Sequence, residues 1–160
     1  MKIKILIFGL LLLSSNPTVS KTENKPQDKI QNIEPDYEVA IMFINDYIAF
    51  CNVRNSSISR IEWIENRTDV TTEFKTELKK ITEKAEKEYP EFGLDFDPII
   101  DAQDHPKKFK IDNKDSKYLI VKGTDWSSFR VILKLKFDLN KWLVDGSGVI
   151  NIPKDKQLNR

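Results

Sequence analysis

The chain has one cysteine, one histidine and five scattered glycines in 160 residues. Each scarcity excludes a chemistry. Cys51 has no second cysteine, so no intrachain disulfide forms, and Cys51 with His105 cannot supply the several His or Cys ligands of a closed zinc site. The glycines build no phosphate-cradling loop, and no G-x-S-x-G elbow positions a nucleophilic serine. Charge of one sign is missing too. Lysine and arginine total 26 against 25 acids, for a net +1, whereas a nucleic-acid binder concentrates basic charge on one domain. No apolar run reaches the ~20 residues of a membrane-spanning helix. The sequence also contains no internal repeat and no heptad run.

What is present begins with MKIKILIFGLLLL. Lys2 and Lys4 precede an unbroken apolar stretch from Ile5 to Leu13, and small polar residues follow, with Thr18 and Ser20 at −3 and −1 of a cleavage point. This is the layout of a secretory signal peptide over residues 1–20. No cysteine stands just after the apolar stretch, so no lipid anchor is expected. The expected product is exported, periplasmic or secreted, with no stable membrane insertion after cleavage. Lys21 to Pro35 is polar, carries two prolines and reads as a flexible leader. Residues 36–153 read as one domain, and 154–160 as a polar, frayed tail. A mature chain of about 140 residues buries roughly 68% of its unfolded surface, enough for one core without disulfide staples.

Within the domain, the hydrophobic period changes once. Asp36 caps a first helix on which Tyr37, Ile41, Ile44, Ile48 and Cys51 share a face, widened by Ala40, Phe43, Tyr47 and Phe50. Cys51 on that face reads as a small buried hydrophobe. Ile58, Ile61, Trp63 and Ile64 suggest a short second helix. Thr71 caps a third, whose narrow stripe is Phe74, Leu78, Ile81, Ala85 and Tyr89, with alternating Lys and Glu facing water and Pro90 after its end. The period then becomes two. KKFKI reads as an edge strand, KYLIVKG as a second, FRVILKLKFDL as a third, and KWLVDGSGVINI as a fourth, bulged or bent at Gly146 and Gly148. Helices first and a strand meander after predict an α+β fold, with N-terminal helices packed on one face of a curved antiparallel sheet.

Between the two halves lies GLDFDPIIDAQDHP, four aspartates and His105 in fourteen residues. Its spacing fails an EF-hand calcium loop. From Asp95, Asp97 fits position three, but Ile99, Ile100 and Pro106 occupy positions five, six and twelve. The structural reading is a connector. Asp97 caps one helical turn, Pro98 sits where no N–H is needed, and Ile99 and Ile100 form an apolar plug. Asp101, Gln103 and Asp104 then satisfy backbone groups, and His105 before Pro106 ends the turn.

DPIIDAQD after the VTTEFKTEL helix, and NKWLVDGSGVINIP at the end of the strands, resemble a family of small exported bacterial proteins of unknown function. That family belongs to the nuclear transport factor 2-like superfamily of cone-shaped α+β domains. The resemblance covers about Asp36 to Pro153. It implies a cone-shaped domain and carries over no catalytic motif. The superfamily holds isomerases and dehydratases with a His/Asp pair in the cone, and also non-catalytic binding modules, so the fold does not choose between them.

Candidate binding residues are Asp101, Gln103, Asp104 and His105 at the connector, exposed Trp126 in the GTDWSS turn, and Arg130. Trp63 is a further aromatic candidate; for both Trp63 and Trp126 the alternative is a covering role over an open end of the core. Asp97, Pro98, Trp142 and Gly146 read as structural. Asp46, Asp101 and Asp145 are the carboxylates that acid–base chemistry would draw on. No catalytic residue, metal or cofactor is expected, nor a nucleic-acid partner. Arg130, Lys134 and Lys136 are expected on the outer sheet face, where, by analogy with the superfamily, two copies would pair. The leading expectation is a non-catalytic exported domain that binds a small ligand or a protein partner in the cell envelope. The alternatives are a periplasmic immunity protein against a toxin, or a small enzyme using a buried carboxylate or His105.

Overall fold

A computed structural model describes residues 33–53 and 56–158. The expected signal peptide and nearly all of the leader lie outside these residues. The elements run α1 (Tyr37–Cys51), α2 (Arg60–Glu65), α3 (Thr72–Glu88), β1 (Phe109–Asp115), β2 (Tyr118–Gly123), β3 (Arg130–Asp138) and β4 (Lys141–Ser147). The architecture is α+β, as the change of period predicts. The four strands form one antiparallel sheet in the order β1-β2-β3-β4, each paired with its sequence neighbour.

The helix starts follow local chemistry. Asp36 accepts from the Glu38 N–H, Ser59 from Glu62 and Thr71 from Phe74, each filling one donor that a helix start leaves open. The fully buried stripe of α1 is Ala40, Phe43, Ile44, Tyr47 and Ile48; Tyr37, Ile41, Phe50 and Cys51 flank it half-buried. The buried centre is displaced towards Phe43 and Tyr47 because Trp63 of α2 packs tilted against both rings, at 6.2 and 5.5 Å. Trp63 is half-buried and packs against the core. On α3 only Phe74 and Leu78 are fully buried, and Tyr89 stands in water. Lys80–Glu77, Lys79–Glu83 and Lys84–Glu88 pair along its wet side. Such exposed pairs contribute little, so the stripe at its N-terminal half holds the helix.

Both sheet edges are partly covered, each at one residue. The Asn45 amide on α1 accepts from the Phe109 N–H at 2.7 Å and donates to the Phe109 carbonyl at 3.1 Å, imitating a strand partner on β1. Val144 on β4 is closed by Thr71 N–H to its carbonyl at 3.0 Å and by its own N–H to Asp69 at 2.8 Å. Exposed edges invite pairing with other chains, and these contacts remove part of both.

Two bulges bend the sheet. In each, one aspartate falls outside the pairing register: Asp112 in β1 and Asp145 in β4. Each finds a cation on the neighbouring strand, and Asp112 reaches a second on β3. Asp112 meets Lys122 at 2.5 Å and Arg130 at 2.7 Å, and Asp145 meets Lys134 at 2.7 Å. Gly146 follows the second bulge because a side chain there has no room: a Cβ would lie 2.8 Å from the Ile150 carbonyl and 3.0 Å from Ile152.

Candidate functional site

The connector differs from the helical turn that Asp97–Pro98 predicts. Residues 97–102 form a closed loop in which Asp97 and Ala102 exchange backbone hydrogen bonds at 2.8 and 3.3 Å. Asp101 has φ +55°, a left-handed conformation that turns the chain back instead of continuing a helix. The cap survives in altered form: Asp97 Oδ1 accepts the Ile99 N–H at 2.9 Å. Ile99 and Ile100 are fully buried as the expected plug. Ser147 Oγ donates to the Ile99 carbonyl at 2.7 Å and Val149 N–H to Pro98 at 3.0 Å, which fastens the loop to the end of β4.

Asp97 has a larger role than a cap. Its Oδ2 accepts the Tyr47 hydroxyl from α1 and lies 3.4 Å from the Arg60 guanidinium of α2. Burial, reinforced by the Asp97 charge, holds the Tyr47 phenol far above its ordinary range, so the hydroxyl keeps its proton and donates it to Asp97. Burial also raises the Cys51 thiol, which disfavours the nucleophilic thiolate. Tyr47, Cys51, Arg60, Asp97, Gln103 and His105 line one cleft of about 520 Å³. Cys51 and His105 thus share a cleft, but His105 Nδ1 lies 3.1 Å from the Pro106 carbonyl.

The remaining candidates converge elsewhere. Gln103, Asp104, Trp126 and Arg130, distant in sequence, line a groove of about 490 Å³ with Ala102, Ser128, Phe129 and Leu158. Trp126 is 45% exposed, and its ring packs 4.9 Å from buried Phe129. The turn that carries it is held by Phe129 N–H to Trp126 and Gly123 N–H to Phe129, both at 3.0 Å. Arg130 reaches back to Asp112, which fixes the guanidinium over the sheet. Gln103 lines both the groove and the cleft, and donates to the Asp95 carbonyl at 3.0 Å. The six sequence candidates therefore divide: four form the groove, His105 faces the cleft, and Asp101 is the bend between them.

The carboxylates considered for acid–base work are engaged. Asp46 is open to water and pairs with Arg67. Asp145 is buried, but Lys134 and the Thr71 hydroxyl occupy its two oxygens. Among the described residues, no group of three His, Cys, Asp or Glu side chains is placed to hold a metal ion. Trp142 packs edge-on against Phe137, and its indole N–H has no protein partner among the described residues. Sequence reasoning missed Tyr47 and Arg60, whose polar ends matter only because α1 and α2 converge on Asp97. It also missed Leu158, whose one signal was being the single aliphatic residue in a polar tail. No protein-family model, curated protein or solved structure matches the chain.

Proposed function

We propose that this is an exported, non-catalytic domain of the nuclear transport factor 2-like, cone-shaped class, and that it binds a protein partner in the cell envelope through the Trp126 groove. The observation that carries this reading is the convergence of Gln103, Asp104, Trp126 and Arg130 around one open groove. An exposed tryptophan on a rigid turn, beside an arginine and a carboxylate, has the composition of a binding hot spot. A second observation weighs against catalysis in a cone interior. Phe43, Tyr47, Phe129 and Leu133 fill the space between α1 and the sheet and are almost wholly buried.

The test uses immobilised mature chain and cell-envelope extract, with wild type beside Trp126→Ala and Asp104→Lys, two residues of the groove wall. The reading expects a partner retained by wild type and lost, by tenfold or more, with both variants while their melting temperatures stay near wild type. Equal retention by all three chains would remove the groove from the interaction.

A further inference from the structure

Helix α3 is anchored by its first half. Phe74 and Leu78 are fully buried there. Beyond them the stripe continues through Ile81 and Ala85, which are half-buried, to Tyr89, which is 60% exposed. The chain then reverses: Gly93 N–H bonds back to the Tyr89 carbonyl at 2.8 Å, and Phe92, inside that turn, is 80% exposed. Ile81, Ala85 and Tyr89 line a groove of about 320 Å³ together with Leu94 and Phe96. The ion pairs along this half, Lys79–Glu83 and Lys84–Glu88, are exposed and hold it weakly. A helix end with an apolar stripe and two exposed aromatics has surface to bury elsewhere.

The charges beside the stripe say what covers it. At about 3.6 residues per turn, Lys80, Lys84 and Glu88 lie along one flank beyond Leu78, and Lys79 and Glu86 along the other. Both flanks run from basic to acidic. A parallel neighbour of the same sequence would set like charges level, whereas an antiparallel one sets lysines against glutamates. A two-fold axis brings each flank against its own copy, so this is the complementarity that an isologous interface needs. Lys80 already pairs with Glu77 and Lys84 with Glu88, but exposed pairs exchange partners at little cost. The charges therefore set orientation, and the apolar residues supply affinity. These obey the same symmetry. Ala85, the smallest residue of the stripe, permits close approach at the axis, and Ile81 and Tyr89 stand four residues to either side of it.

We infer that the second half of α3 and the Tyr89–Phe92 turn form a two-fold, antiparallel interface with a second copy of this chain, each Tyr89 entering the other copy's groove beside Ile81. An aromatic side chain buries about 150–250 Å², so Tyr89 and Phe92 of two copies bring about 600–1,000 Å² at most. That is below the area of a standard stable complex, and the dimer is weak and reversible. The surface shares no lining residue with the Trp126 groove, so its failure leaves the partner reading untouched.

Sedimentation velocity of the mature chain from about 10 μM to about 1 mM tests it, a range that brackets a weak interface. Wild type should pass from monomer to dimer. Tyr89→Ala with Phe92→Ala should weaken the dimer at least tenfold, and so should Glu88→Lys, which makes one flank wholly basic, while melting temperatures stay near wild type. A chain with Lys80→Glu and Lys84→Glu, whose flank is wholly acidic, should also fail to pair with itself. Mixing it with the Glu88→Lys chain should restore the dimer, which a merely damaged helix would not do. A wild-type monomer at every concentration overturns the inference. So does a dimer that survives the aromatic variant, which places the contact on another face. A dimer indifferent to Glu88→Lys, or no recovery on mixing, removes the antiparallel arrangement and with it the two-fold interface.

Discussion

Tyr47 on α1 donates its hydroxyl to Oδ2 of Asp97, fifty residues further along the chain. Tyr47 is fully buried and the Asp97 side chain is 12% exposed, so each is the other's main substitute for water. The same carboxylate holds the Ile99 N–H and faces Arg60. One side chain therefore joins α1, α2 and the loop that leads into the sheet.

Asp97→Ala should cost more than a lost cap. Losing the cap contributes about 1 kcal/mol, and leaving the Tyr47 hydroxyl buried without an acceptor adds about 1–3 kcal/mol. Tyr47→Phe should cost only about 1 kcal/mol, because Asp97 keeps its other partners. Urea unfolding of both variants measures the difference. Equal losses would mean that leaving the Tyr47 hydroxyl without its acceptor adds nothing to the cost of Asp97→Ala.

Lys134→Met should be destabilising through what it leaves behind. Asp145 would keep the Thr71 hydroxyl but lose its cation while buried. Removing one partner of a fully buried pair costs about 3–5 kcal/mol; the Lys134 head retains some water, so about 2 kcal/mol is expected. Adding Asp145→Asn in the same chain should recover part of that loss. A double-mutant cycle with no coupling would show the pair to be energetically silent.

Asp112 should make stability depend on acid pH. Hydrogen bonds from Lys122 and then Arg130 hold its carboxyl below the ordinary aspartate value. A lowered folded value means that the unfolded chain takes up the proton first. The contribution is complete above the ordinary value of about 3.9 and is lost as pH falls from there through the folded value. The stability advantage of wild type over Asp112→Asn should be full near neutral pH and shrink steadily as pH falls below the ordinary aspartate value. Because the site faces water, molar salt should shrink it as well. An advantage that persists at low pH would exclude the ion pairs as its source.

Leu139→Asn should stabilise the protein. Leu139 and Asn140 form the two-residue β3–β4 turn, with φ +48° and +61°, and Leu139 is 83% exposed. A leucine gains nothing there and carries the strain of the left-handed region, which asparagine tolerates. A gain of about 0.5–1 kcal/mol is expected, seen as a higher melting temperature. An unchanged or lower value would show that the turn relaxes around leucine without cost.

The sequence by itself determined the features that act over a few residues. Asp36 and Thr71 cap helices because a side-chain oxygen reaches an N–H two or three residues on. The change of period from 3.6 to 2 separates helices from strands because it records which side chains must leave water. Gly146 and Gly148 marked the bend after the fourth strand for the same local reason. Tertiary structure decided the rest. Asp97–Pro98 carries a strong helix-start signal, yet the left-handed bend at Asp101 and the contacts to Ser147 and Val149 close the segment as a loop. Whether Asp97 ends as a cap or as the joint of two helices depends on where Tyr47 and Arg60 arrive, which no short window contains. The groove is the same kind of fact. Gln103, Trp126, Arg130 and Leu158 meet because the connector, a turn, a strand and the tail all end at one rim, and their proximity exists only once the sheet has formed.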